Sequence, residues 1–156
     1  MTGTANTVLY LDTSALLRRF VADRQRPLVL DAMAEADQWV SSALSRSELQ
    51  LALVHAATTP FERDRLWDAV RRDWDALWEV PVDGRCLVRA TEIGATYGVT
   101  TVDAIHLAAA DRLGRPVRYL TFERQQIPAA AELGFEVVAP SDQSLPAPVS
   151  SGTGPL

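Results

Sequence analysis

The sequence predicts an α/β fold with helices covering both faces of a mostly parallel central sheet. Three observations carry that expectation. Short apolar runs alternate with amphipathic segments along the whole chain, the pattern of strands joined by crossover helices. The first run, Val8 to Leu11, is apolar throughout, as a strand buried on both faces should be, and it passes directly into helix-start residues. At 156 residues and 47% hydrophobic content, the chain is long enough to build one sizeable core.

The elements follow in order. Thr13 and Ser14 open a helix whose Ala15, Leu16, Leu17 and Phe20 recur at helical spacing. Residues 26–37 predict a second helix with Leu30, Met33 and Ala34 on one face, and 38–43 a short strand. Residues 44–57 predict a helix that turns Leu49, Leu53 and Ala56 or Ala57 inward. After Thr59-Pro60, residues 61–78 predict a long helix with an apolar stripe of Leu66, Trp67, Val70, Trp74, Leu77 and Trp78. Core packing is the ordinary use of such tryptophans; a dimer or partner surface is the other. A brief strand is expected at 79–82, then helices at 83–98 and 99–114. Gly98 suits the residue just past a helix end. Strands at 117–122 and 135–140 flank a turn and helix. From Pro140 onward the chain is rich in Pro, Ser and Gly and lacks periodicity. One domain is therefore expected over 1–139, followed by a flexible tail at 140–156.

Composition removes several classes of function. No apolar run approaches the roughly 20 residues that span a bilayer, so no membrane partner is expected. The N-terminal residues show no signal-peptide pattern. Cys86 is the sole cysteine, which excludes an internal disulfide and fits a reducing cytoplasm. With only His55 and His106 beside it, a Cys/His zinc cluster is not available. The net charge of −5 argues against indiscriminate binding of nucleic acid. All 15 basic residues are arginine, so every cation can grip a phosphate through two nitrogens and no lysine nucleophile exists.

Acids stand at the junctions of elements. Asp12 ends the first strand, Glu48 lies early in the helix after the second, Asp103 lies in the first turn of its helix, and Glu123 follows the strand ending in Thr121-Phe122. In a parallel sheet the carboxyl ends of the strands share one edge, where ligands collect. Each acid also has an ordinary structural use. Asp12 is a favoured N-cap, Ser45 and Glu48 have the spacing of a capping box, Asp103 complements a helix dipole, and Glu123 can be an exposed acid. Converging carboxylates repel, however, and a bound cation holds them together best. Hard oxygen donors suit Mg²⁺ or Mn²⁺, and such an ion beside a water-orienting carboxylate suits hydrolysis of a phosphate ester.

The segments YLDTSALLRRF, SELQLAL, TTVDAIHLAAA and YLTFER together resemble the PIN domain, most closely the VapC-type ribonuclease toxins of bacterial toxin–antitoxin pairs. The resemblance covers about residues 7 to 139. It implies a three-layer α/β/α sandwich, Mg²⁺- or Mn²⁺-dependent cleavage of RNA, a homodimer, and inhibition by a cognate antitoxin. Its acids fall on Asp12, Glu48, Asp103 and Glu123, the first three as metal-holding residues, and its supporting hydroxyls on Thr13 and Thr121. Glu123 departs from the family's usual aspartate by one methylene. His106 is expected as a packed, hydrogen-bonded neighbour of the site rather than a ligand. Arg18, Arg19, Arg46 and Arg124 are candidates for a basic rim that holds the RNA backbone. A phosphotransfer receiver domain would need a lysine, and an aspartate-nucleophile phosphatase a second Asp where Ser14 stands. The alternative from another class is a PIN-like module that binds RNA or protein without cleavage.

Overall fold

The computed structural model describes residues 6–140. Its elements run β1 (Val8–Leu11), α1 (Thr13–Phe20), α2 (Arg26–Glu35), β2 (Gln38–Ser42), α3 (Ala43–Ala56), α4 (Pro60–Trp74), β3 (Leu77–Val80), α5 (Gly84–Tyr97), α6 (Thr101–Asp111), β4 (Val117–Leu120), α7 (Gln126–Glu132) and β5 (Glu136–Val138). The strands pair in the order β3-β2-β1-β4-β5, and every pairing is parallel. The chain therefore builds outward from β1 to one edge, then returns to place β4 on the other side of β1. The order thus reverses between β1 and β4, and the space beyond their carboxyl ends is the usual ligand position of such sheets.

Alternation along the strands divides the core in two. Leu9, Leu11 and Leu120 face a layer that includes Ala15, Leu16, Val29, Met33, Leu49, Leu53, Val70 and Trp74. Tyr10, Val40 and Tyr119 face the opposite layer, with Cys86, Ile93, Leu107 and Ala129. Helices α1 to α4 thus cover one face and α5 to α7 the other, giving the expected three layers. Burial on both faces explains why β1 carries no polar alternation. A buried leucine such as Leu9 contributes about 1.5–3 kcal/mol by leaving water.

Helix boundaries follow local chemistry. Asp83 caps α5 by accepting the Cys86 N–H, and Gly98 ends it with φ of 67°, a conformation that glycine adopts without steric cost. Thr100 caps α6 by accepting the Asp103 N–H.

Several expectations are corrected. Helix α4 stops at Trp74, and Leu77 and Trp78 belong to β3 rather than to the helical stripe. The strand there starts at Leu77 instead of residue 79, so Trp78 is 67% exposed on an edge strand. The inward residues of α2 are Val29, Ala32 and Met33; Ala34 is exposed and Leu30 only half-buried. Ala56 is exposed, and Ala57 lies past the end of α3. Strands β4 and β5 are shorter than expected, ending at Leu120 and Val138. Beyond Pro140, the expected tail lies outside the described residues.

Candidate active site

Asp12 is the residue on which β1 ends and α1 begins. Its backbone N–H continues the ladder to the Leu120 carbonyl at 3.3 Å. Its side chain is 1% exposed and caps α1, with Oδ1 accepting the Ala15 N–H at 3.0 Å. The capping use and the junction position therefore coexist. Two hydroxyls complete its surroundings: Ser14 donates to Oδ1 at 2.7 Å and Thr121 to Oδ2 at 2.6 Å. Each hydroxyl also accepts a backbone N–H, from Phe122 and Glu123 respectively. The start of α1 is thus tied to the loop after β4 through the carboxylate. Burial raises the Asp12 carboxyl above the ordinary aspartate value, against the opposing influence of His106 and of these hydrogen bonds.

Glu48 lies on the second turn of α3 and does not use the capping-box spacing it has with Ser45. Ser42 takes the cap position and accepts the Ser45 N–H. Glu48 instead reaches across to α1 and α6. Its Oε1 accepts from Thr13 Oγ1 at 2.6 Å and lies 3.0 Å from His106 Nε2. His106 is 2% exposed, and its Nδ1 lies 3.0 Å from the Tyr10 hydroxyl. An ionised carboxylate only accepts, so the network assigns the proton to Nε2 and leaves Nδ1 to accept from Tyr10. Burial pushes the Glu48 carboxyl up, yet the contacts with His106 and Thr13 hold it below its usual value overall.

Asp103 projects from the first turn of α6, and its Oδ1 accepts from Gln126 Nε2 at 2.7 Å. Gln126 was not singled out by sequence reasoning; a glutamine beside a turn carries no signal of burial, although it is 1% exposed here. Glu123 is exposed in the loop after β4. Desolvation and then the charges of Asp103 and Asp12, with a smaller one from Glu48, raise its carboxyl, against the pull of Arg18. Asp12, Glu48 and Asp103 are therefore all close enough to Glu123 for their charges to act on it.

The arginine candidates separate. Arg18 lies beside the site, its guanidinium 3.9 Å from the Phe122 ring centroid and bonded to the Ser14 carbonyl and Asp23. Arg124 is exposed and Arg46 half-buried, and neither has an ion-pair partner among the described residues. Arg19 is turned elsewhere. It pairs with Asp73 of α4 and approaches the Trp39 ring near the amino end of β2. The structure thus does not bring Arg19 to the acids.

The donor set fits a hard divalent ion. Glu48 Oε2, Asp103 Oδ2 and both Glu123 carboxyl oxygens accept no hydrogen bond among the described residues. Among the described residues, no three His, Cys, Asp or Glu side chains are grouped closely enough to hold a metal ion by themselves. A Mg²⁺ or Mn²⁺ ion, which keeps several waters and takes one or two direct carboxylates, would need fewer protein ligands than three. A surface hollow lined by Thr7, Glu35, Pro116, Arg118 and Glu136 lies at the opposite, amino edge of the sheet, away from these acids.

Residues 9–132 match the PIN domain family. The chain is 34% identical over 134 residues to Ribonuclease VapC46 of Mycobacterium tuberculosis, across 85% of this chain and 98% of that protein. Among solved structures, FitAcB from Neisseria gonorrhoeae superposes with a TM-score of 0.65 at 15% identity, covering 84% of this chain and 96% of that one. The Mycobacterium tuberculosis toxin VapC20, described as cleaving the sarcin-ricin loop, gives 0.65 at 16% identity over 78% and 94%. A toxin–antitoxin complex from Klebsiella pneumoniae gives 0.62 at 18% identity over 84% and 96%. At these identities the structures speak for the fold.

Proposed function

The chain belongs to the PIN domain family, in its VapC branch, and we propose that it is a metal-dependent endoribonuclease toxin restrained by a cognate antitoxin. The observation that supports this reading is the effect of the Asp103, Asp12 and Glu48 charges on Glu123, with Thr121 tying Asp12 to the Glu123 backbone where the strand order switches between β1 and β4. The ribonuclease name of the 34% identical relative supports the substrate class.

Asp12, Glu48 and Asp103 would hold Mg²⁺ or Mn²⁺. When bound, the ion lowers the pKa of a water and offsets charge on a phosphoryl oxygen. Hydrogen bonds hold one oxygen of Glu48 and one of Asp103 and leave the other without a hydrogen bond among the described residues. Glu123, exposed and raised in pKa, is suited to orient the attacking water and hold its proton. Arg18, Arg46 and Arg124 supply the cationic rim that an acidic protein needs to retain RNA.

Antitoxin binding is supported by the toxin–antitoxin complexes among the structural neighbours. Exposed Leu51, Val54 and Phe61 on α3 and α4, and Leu87 and Val88 on α5, offer apolar surface for an antitoxin and for a homodimer. No helix among the described residues is long and apolar enough to cross a membrane, in keeping with a cytoplasmic role.

The test is cleavage of total RNA with Mg²⁺ or Mn²⁺, wild type against Asp103→Asn. Cleavage is expected from the wild type, and its loss in the variant and in chelator. Activity indifferent to both would overturn the mechanism. RNA or protein binding without any metal-stimulated cleavage would instead support the non-catalytic module.

A further inference from the structure

Tyr10 and Tyr119 sit side by side in the β1–β4 register, their rings stacked with centroids 5.1 Å apart and an interplanar angle of 9°. Both are 0% exposed. The Tyr119 hydroxyl meets Gln126, the Tyr10 hydroxyl meets His106 and also Ser42, and Gln126 and His106 each meet an acid. Tyr119 Oη donates to Gln126 Oε1 at 2.6 Å, and Gln126 Nε2 donates to Asp103 Oδ1 at 2.7 Å. Tyr10 Oη lies 3.0 Å from His106 Nδ1, and His106 Nε2 lies 3.0 Å from Glu48 Oε1. Two parallel relays thus rise from one aromatic floor to opposite acids.

We infer that Gln126 is a positioning residue for metal binding, held by Tyr119 so that it fixes the Asp103 carboxylate with Oδ2 presented to the ion. The inference rests on the reading of Asp103 as a metal-holding acid. Its chemistry admits a single arrangement. An ionised Asp103 cannot donate, so the amide nitrogen of Gln126 must face it, and the amide oxygen is left to accept from Tyr119. Loss of the tyrosine hydroxyl frees the amide to rotate. Nothing else in the surroundings of Gln126 needs a glutamine: its helix neighbours Ala129 and Ala130 are buried among apolar side chains, and a buried amide without partners is costly. Outer hydrogen-bond partners of metal-holding groups act in this way, and their loss commonly weakens metal affinity or activity about 10- to 100-fold.

The experiment measures Mn²⁺ affinity by the electron paramagnetic resonance signal of the free ion, in wild type, Gln126→Met, Tyr119→Phe and Tyr10→Phe, alongside circular dichroism melts. Gln126→Met keeps length and removes the donor; Tyr119→Phe keeps the stack and removes one hydroxyl. Gln126→Met should weaken Mn²⁺ binding about 10- to 100-fold at unchanged stoichiometry, since partial misfolding would lower the number of sites and not their affinity. Adding Tyr119→Phe to Gln126→Met should cause little further loss, because both cut one relay. Tyr10→Phe added to Gln126→Met should deepen the loss more than Tyr119→Phe does, because it cuts the other relay. In RNA cleavage the same variants should lower kcat and spare KM. Wild-type affinity in both Gln126→Met and Tyr119→Phe, or additive losses within the Tyr119–Gln126 pair, would overturn the inference while leaving the proposed function standing. A wild type that binds no Mn²⁺ would overturn both.

Discussion

Thr121 Oγ1 donates to Asp12 Oδ2 at 2.6 Å while accepting the Glu123 N–H at 3.0 Å. One hydroxyl therefore orients the most buried acid and anchors the backbone of the most exposed one. A hydrogen bond to a charged group is worth about 1.5–3 kcal/mol. Thr121→Val, which keeps shape and loses the hydroxyl, should lower kcat/KM for RNA by about tenfold or more, and Thr121→Ser should recover most of it. Equal activity in Val and Ser variants would show that the hydroxyl has no such role.

The Asp12 carboxyl is raised by burial, so its folded value lies above its unfolded one. The sign follows from linkage: stability from this group is fully present below the ordinary aspartate range and is lost as pH rises through the folded value. In chelator, Asp12→Asn should therefore melt above the wild type at neutral pH, with the difference shrinking on acidification. Asn retains an oxygen to accept the Ala15 N–H. Melting curves across pH 4 to 8 decide the matter; a difference that grows toward acid would refute it.

The two tryptophans that were expected on one helix face should behave oppositely. Trp74 is 7% exposed and donates its indole N–H to Glu79 at 3.1 Å, so Trp74→Ala should cost about 3–5 kcal/mol. Trp78 is 67% exposed on β3, and Trp78→Ser should change stability by about 0.5 kcal/mol or less. Urea unfolding of both variants measures the contrast.

Arginine substitutions should separate binding from folding. Arg46→Ala and Arg124→Ala should raise KM for RNA and flatten its dependence on salt, with kcat unchanged. Arg19→Ala should leave KM alone and lower stability by about 1 kcal/mol, since it loses a part-buried pair with Asp73 and contact with Trp39. Steady-state cleavage at several salt concentrations, with denaturant melts, tests both halves.

The features legible in the sequence were those written in neighbouring residues. The β1–α1 junction at Asp12, the start of α5 near Asp83 and its stop at Gly98 depend on residues within a few positions of the backbone they serve. The boundary between α4 and β3 was not legible, because Leu77 and Trp78 continue the helical apolar period and only pairing with Trp39 and Val40 of β2 makes them a strand. The capping-box spacing of Ser45 and Glu48 was a true local pattern that lost to distant partners, Thr13 and His106. Gln126 was invisible for a related reason: its hydrogen bonds go to Tyr119 and Asp103, and no periodicity announces them. Local chemistry thus placed the acids on their elements, and tertiary contacts decided what holds each one.

The strand order also sets a timetable. Asp12 leaves the ribosome early, yet the hydroxyl that orients it arrives 109 positions later. Until residues 117–120 emerge, one flank of β1 has no neighbour. A fragment that ends before β4 lacks Thr121, which orients Asp12, and Gln126, which holds Asp103. The arrangement around Asp12 and Asp103 thus depends on side chains that are translated last.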